Sequence, residues 1–259
     1  MVGKDKQSAW FRFHGVLEDF LPPARRGRAL SRPVGGRPAI KDPIEALGVP
    51  HTEVGAILVD GRAVDLAFRI APGARVAVYP EGPWPRPPGP PLRPPRPAEP
   101  AFVVDVNLGR LARELRLLGF DTLWRNDYTD AALARIAADQ NRILLTRDRR
   151  LLRRRIIIHG FWVRAVEPAA QVREVVERLA LETAFDPFRR CLVCNDLIEP
   201  VERETVLPLL QPLTRRYYRT FYRCRGCGRI YWQGSHFPRL LERLERLDAK
   251  DHHPEHPTP

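Results

Sequence analysis

Lysine is nearly missing from this chain. It occurs only at positions 4, 6, 41 and 250, which leaves almost all of the 43 basic residues to arginine. Methionine appears once and cysteine four times in 259 residues. No apolar run approaches the roughly 20 residues that a membrane helix needs, so no membrane partner is expected. The opening "MVGKDKQSAW" carries no apolar core of the signal-peptide kind. A cytoplasmic location with reduced thiols is the expectation that follows. What is abundant is positive charge: the net charge is +12 and the pI about 10.3. That balance points to a polyanionic partner, and the planar fork of arginine suits bidentate contacts to phosphate. The length leaves room for one large domain or two to three small ones around at least one proper core.

Proline divides the chain. Residues 80–100, "PEGPWPRPPGPPLRPPRPAEP", hold 11 of the 27 prolines, a density that excludes helix and central strand. The stretch reads as semi-rigid polyproline II, a spacer between two modules. Ahead of it, Ala9 to His14 alternates like a strand. "DPIEALGV" reads as a short helix with Asp42 as cap and Pro43 in the first turn, stopped by Gly48. "VGAILVDGRAV" predicts a hairpin turning at Asp60-Gly61, and "RVAVYP" a last strand. Residues 9–80 thus resemble a ubiquitin-like β-grasp domain of the kind found in bacterial sulfur carriers. Those carriers work through a free C-terminal Gly-Gly, whereas here the last strand runs into Pro80-Glu81-Gly82-Pro83. An interaction or structural role, with a protein as the partner, is expected of this module in place of sulfur chemistry.

After the proline-rich segment, at 81–100, strands and helices alternate over 101–183, which implies a mainly parallel sheet with helices on both faces. "AFVVDV" is a short buried strand. Leu108, Leu111, Leu115 and Leu118 form a helical stripe that Gly119 ends. "DTLWR", a helix "AALARIAAD", the strand Ile143 to Thr146, another short helix, the apolar "IIIHGFWVRAV" and the helix "PAAQVREVVERLALE" follow. Asp105 ends the first strand and Asp148 ends the third. Ligands of open parallel sheets bind beyond the carboxyl ends of the strands, so two aspartates distant in sequence can converge there. Asp130 opens the intervening helix, and Asp127 lies three residues earlier as a possible additional acid. Carboxylates in one cleft repel each other unless cations neutralise them, and hard oxygen ligands suit Mg²⁺ or Mn²⁺. Such ions activate water and stabilise a leaving oxygen in phosphodiester hydrolysis. Plainer uses stand beside that one: Asp130 and Asp148 as helix caps, Asp127 as a turn residue. Arg110, Arg113, Arg147 and Arg149 are the candidates for holding phosphates.

Three stretches carry a resemblance. "FVVDVNLGRLARELRLLGFDTLW", "NDYTD" and "ILLTRDRRLL" resemble the Mut-seven C-terminal RNase family, a branch of the PIN-like nucleases. The resemblance implies an α/β, PIN-like fold with a metal-dependent ribonuclease site on Asp105, Asp130 and Asp148. It also implies a zinc ribbon behind the nuclease domain and a β-grasp domain in front.

The four cysteines fall into two pairs, Cys191/Cys194 and Cys224/Cys227, each with two residues between them. Two such knuckles deliver four thiolates to a tetrahedral Zn²⁺. A dithiol redox pair is the competing use of the motif, but two pairs with no spare cysteine favour a closed, structural zinc site in a ribbon over 184–240. His236 is a possible substitute ligand. Tyr217, Tyr218, Phe221, Tyr222, Tyr231 and Trp232 serve either the ribbon core or base stacking. Residues 241–259 read as the end of a helix and a disordered tail. The expected function is a metal-dependent ribonuclease. Its rivals are a non-catalytic RNA-binding adaptor and a sulfur-transfer or redox protein.

Overall fold

The computed structural model describes residues 7–83 and 86–234. His236 and the segment 241–259 lie outside them. The described chain divides into two units: residues up to 109 together with 124–164, and residues 110–123 together with 165 onward.

The first unit begins with β1 (Ser8–Phe13), β2 (Leu30–Pro33), α1 (Lys41–Leu47), β3 (Val54–Val59), β4 (Arg62–Ala63) and β5 (Arg75–Pro80). They build a five-stranded sheet in the order β2-β1-β5-β3-β4, with β1 and β5 parallel and the other pairs antiparallel. Alternation along β1 sends Ala9, Phe11 and Phe13 into the core with Leu17, Ile44 and Val78. Asp60 and Gly61 both adopt positive φ, 48° and 81°, at the β3-β4 turn, as the two central positions of a type I′ turn demand. Asp42 is not the cap of α1: it lies within the first turn, and the residue at the cap position is Ile40, which makes no side-chain cap bond. β2 carried no alternation to announce it, because only Leu30 of its four residues escapes full exposure.

The unit continues with β6 (Ala101–Val104). The helix α2 (Gly109–Leu117) and the strand β7 (Asp121–Leu123) come next in the chain, and they belong to the second unit from Arg110 onward. The first unit resumes with α3 (Asp130–Asp139), β8 (Ile143–Thr146) and β9 (Gly160–Trp162). β6, β8 and β9 lie side by side, all parallel. All four residues of β8 are buried, as befits a strand covered on both faces. In place of the short helix expected after Asp148, the chain makes a single 3₁₀ turn over Leu151–Arg153.

The proline-rich segment does not stand off as a spacer. Leu92 packs against the core of the five-stranded sheet. The Arg93 guanidinium donates to the carbonyl oxygens of Thr52 and His51, at 2.9 Å each, and to that of Val54. It also lies 3.7 Å from Glu81. Burial is the main force lowering the Arg93 pKa, against the nearby Glu81 and Glu53 carboxylates. Polyproline II has no internal hydrogen bonds, so its attachment depends on such side chains. Arg93→Ala should therefore destabilise the first unit by about 2–3 kcal/mol, the cost of leaving buried carbonyls without donors. Chemical denaturation of the full chain checks it.

The second unit adds α4 (Pro168–Leu179), β10 (Ile198–Val201), α5 (Arg203–Val206), α6 (Pro212–Tyr217), β11 (Phe221–Cys224) and β12 (Ile230–Trp232). The last three strands form an antiparallel sheet in the order β10-β11-β12. Leu111, Ala112 and Leu115 bury one face of α2, while Arg110 and Arg113 are exposed. Gly119, at φ 100°, is where a Cβ would strike the Asp186 carbonyl. Only glycine lets the chain turn there with its neighbour so close.

Candidate functional site

Asp105 leaves β6 buried, at 8% exposure. Its Oδ2 accepts a 2.5 Å hydrogen bond from the Thr146 hydroxyl, and its Oδ1 accepts a long one of 3.4 Å from the Asn107 N–H. The same Thr146 oxygen accepts from the Asp148 N–H at 2.9 Å. One hydroxyl at the end of β8 thus links the side chain of one acid to the backbone of the other. Asp148 Oδ1 accepts from the Arg150 N–H at 2.7 Å, which makes an Asx turn. Neither carboxylate has an ion pair among the described residues, although arginine surrounds Asp148 in sequence.

Asp130 sits at the start of α3, but Thr129 is the cap: its hydroxyl accepts from the Ala132 N–H. The Asp130 side chain is therefore released from the plainer role expected of it. It is more than half exposed and lies 3.9 Å from Arg154, a separation worth little at a surface. Asp127 is taken up by Arg125, which donates to both of its oxygens at 2.8 and 2.7 Å. That bidentate contact holds the Asp127 carboxyl below its usual pKa. Asp105 and Asp148 are thus joined through Thr146, and Asp130 is not drawn into the same hydrogen-bonded group.

Arg147 is exposed. Arg149 is held by other groups of its own unit. Its guanidinium lies 3.8 Å from the centre of the Trp162 ring and 5.3 Å from that of Phe20. It donates to the carbonyls of Phe20 and Asp19 at 3.3 and 3.4 Å. Burial first, then the neighbouring Arg164, lower its pKa from the usual arginine value. No local signal near Asp148 announced this contact, since its partners lie 13 residues downstream and about 130 upstream.

In the second unit, the thiols of Cys191, Cys194, Cys224 and Cys227 all lie within 4.8 Å of one another. Among the described residues this is the one group of three or more potential ligands gathered closely enough to hold an ion. Cys191 Sγ is 3.6 Å from Cys227 Sγ, and Cys194 Sγ is 3.3 Å from Cys224 Sγ. A tetrahedron with bonds of ~2.3 Å has edges of roughly 3.8 Å, so the four sulfurs fit zinc with little adjustment. Burial opposes ionisation of Cys191. The N–H groups of Cys194 and Val193 and the hydroxyl of Tyr231 outweigh it and bring its pKa down to about 6. Burial pushes Cys224 up to about 12. Tyr231 lies 3.0 Å from the Cys191 sulfur.

Arg116, buried on α2, donates to the carbonyls of Thr122, Leu192 and Val193. Asn195 accepts from the Thr122 N–H at 2.8 Å and donates to Asp121 at 2.7 Å. The first knuckle is in this way tied to α2 and β7. Of the ribbon aromatics, Phe221 is core, with Tyr218 and Trp232 packed on it, and Tyr222 rests against Phe188. Tyr217 alone of this set is largely exposed.

A family model described as the Mut7-C RNAse domain matches residues 100–244, more than half of the chain. The chain belongs to the Mut7-C RNAse domain family. A second model, described as Mut7-C ubiquitin, matches residues 6–83, the stretch that folds into the five-stranded sheet. The RNAse match takes in Asp105, Asp130, Asp148 and all four cysteines. This chain is therefore of a ribonuclease family, with a ubiquitin-like domain ahead of the RNAse domain and four cysteines positioned for zinc. No helix among the described residues is long and apolar enough to cross a membrane. No curated protein and no solved structure matches the chain.

Proposed function

We propose that this Mut7-C protein hydrolyses RNA phosphodiester bonds at Asp105 and Asp148, with Asp130 as the third acid, and that it requires Mg²⁺ or Mn²⁺. The observation that carries the reading is Asp105. A buried carboxylate without a cationic partner is costly, and the backbone of Asp148 is joined to it through one hydroxyl. Hard carboxylate oxygens are the donor set that a divalent cation of this class takes. Such an ion, when bound, supplies an activated water and charge stabilisation of the leaving oxygen.

The chain's own part is orientation. Thr146 and the Asn107 N–H fix the Asp105 carboxylate, and the Arg150 N–H fixes that of Asp148. Each ionised carboxylate has about four lone-pair sites, so acceptor capacity remains on both. Arg147, exposed beside Asp148, holds phosphate. Arg110 and Arg113, exposed on α2, have the same chemistry. Zinc on the four cysteines is structural, because four protein ligands leave no open position.

The test is cleavage of a mixed panel of labelled RNAs by the full chain, with Mn²⁺, with Mg²⁺ and with a chelator. Cleavage that appears only with a divalent ion is expected. RNA binding without cleavage under every metal condition would make the protein an RNA-binding adaptor and overturn the reading.

A further inference from the structure

The segment between β8 and β9 carries Asp148, and the ubiquitin-like domain grips it at three points. Arg149 reaches Phe20 and Asp19 as described above. The Arg153 guanidinium donates to the Gly48 carbonyl at 3.0 Å. His51, buried, donates through Nε2 to the Ile157 carbonyl at 3.0 Å. The strand that follows is held as well. The Trp162 N–H donates to Glu53 at 2.6 Å, and Glu53 is 1% exposed. The Trp162 ring joins the core of the five-stranded sheet and takes a second guanidinium, that of Arg164, 4.8 Å from its centre. Arg164 in turn lies 3.3 Å from Asp19.

Upstream, Asp148 hangs from Thr146 at the end of a buried strand. Downstream, the next residue with a tertiary anchor is Arg149, and its partners all lie on the ubiquitin-like domain or on the Trp162 that packs into it. We infer that the ubiquitin-like domain is a positioning element of the nuclease centre, clamping the Asp148 loop through Arg149, Arg153 and His51. It is not a detachable adaptor. Arg149 is a positioning residue and makes no contact with RNA. The inference rests on the assignment of Asp148 to the reaction. A displacement of about 1 Å in such a group lowers turnover by up to about a hundredfold.

The test uses full-length Arg149→Met, Trp162→Leu and the double variant. Methionine keeps an apolar stem against Trp162 and loses the fork. Hydrogen exchange of the amides in 147–157 should accelerate about tenfold in each variant. The kcat for metal-dependent cleavage should fall by about tenfold to a hundredfold, with KM and the salt dependence of RNA binding unchanged. The double variant should be faster than the product of the two single losses, because both changes remove the contact of Arg149 with the Trp162 ring. Arg149→Lys, which keeps the charge without the fork or the stacking plane, should not restore kcat.

Unchanged exchange in the loop overturns the inference. So does a raised KM with intact kcat and a salt slope reduced by about one, the signature of a lost phosphate contact. If the parent protein cuts no RNA, the proposed function fails by itself, and the exchange measurement still decides whether the clamp exists.

Discussion

Asp148→Asn should leave RNA binding intact or slightly tighter and abolish cleavage. Asparagine keeps the shape of the side chain and an Oδ1 that can accept from the Arg150 N–H, so the Asx turn survives. The backbone N–H of residue 148 still reaches Thr146. What disappears is the negative charge. A divalent cation loses a hard ligand, and a rate loss on the order of a thousandfold is the scale set by removing one electrostatic group from a preorganised site. Phosphate meanwhile loses a repulsion worth about 0.5–1 kcal/mol near a partly exposed charge, so affinity should rise a few-fold. Arg147→Ala is the paired control. It should weaken binding and reduce the salt slope by about one counterion. Mn²⁺-dependent cleavage beside a filter-binding titration, for each variant, separates the two roles. Parental cleavage rates in Asp148→Asn would reduce Asp148 to a turn residue.

Cys224→Ser should release zinc and unfold the ribbon. The parent chain is expected to hold one zinc per molecule. Binding free energy of ~10 kcal/mol or more for a structural zinc site is comparable with the whole net stability of a domain. The ribbon's own core is small: Val206, Leu210 and Phe221 are its buried members, with a few partners packed on them. Loss of the metal frees both knuckles, and the first of these holds Arg116 and Thr122. Hydrogen exchange should therefore rise around residues 189–197 and also around 116–122. Metal content by atomic absorption and exchange by mass spectrometry read the two effects. A chain purified under reducing conditions without zinc, and equally stable, would refute the assignment.

The cysteine cluster and the aspartates differ in how far they were legible. Cysteine ligands come two to a knuckle, so the spacing of Cys191, Cys194, Cys224 and Cys227 encodes the site almost completely. The acids come one to a strand end. Periodicity placed Asp105 and Asp148 at the mouths of β6 and β8, but the Thr146 hydroxyl that joins them could be found only in three dimensions. Caps were misread for a related reason. Thr129 and Asp130 are both good cap residues by type, and backbone geometry alone chose the threonine. Asp127 is paired with Arg125, two residues away. The position of Arg149 beside an acid suggested phosphate, and its contacts with Phe20 and Trp162, far along the chain, could be found only in three dimensions. The proline-rich segment shows the same limit: its composition suggested a spacer and said nothing of Arg93 reaching three carbonyls.

Trp162 belongs to the nuclease strand β9, yet its ring completes a core whose other members come from the first 92 residues. Domains joined by a bare tether can be exchanged between relatives by recombination, because each brings its own interior. Here the interior is shared. A substitution at Phe20 alters the surroundings of Arg149, the residue next to Asp148. A ubiquitin-like domain brought in from elsewhere would have to offer Trp162 the same seat, because that ring rests on a core built by the first 92 residues.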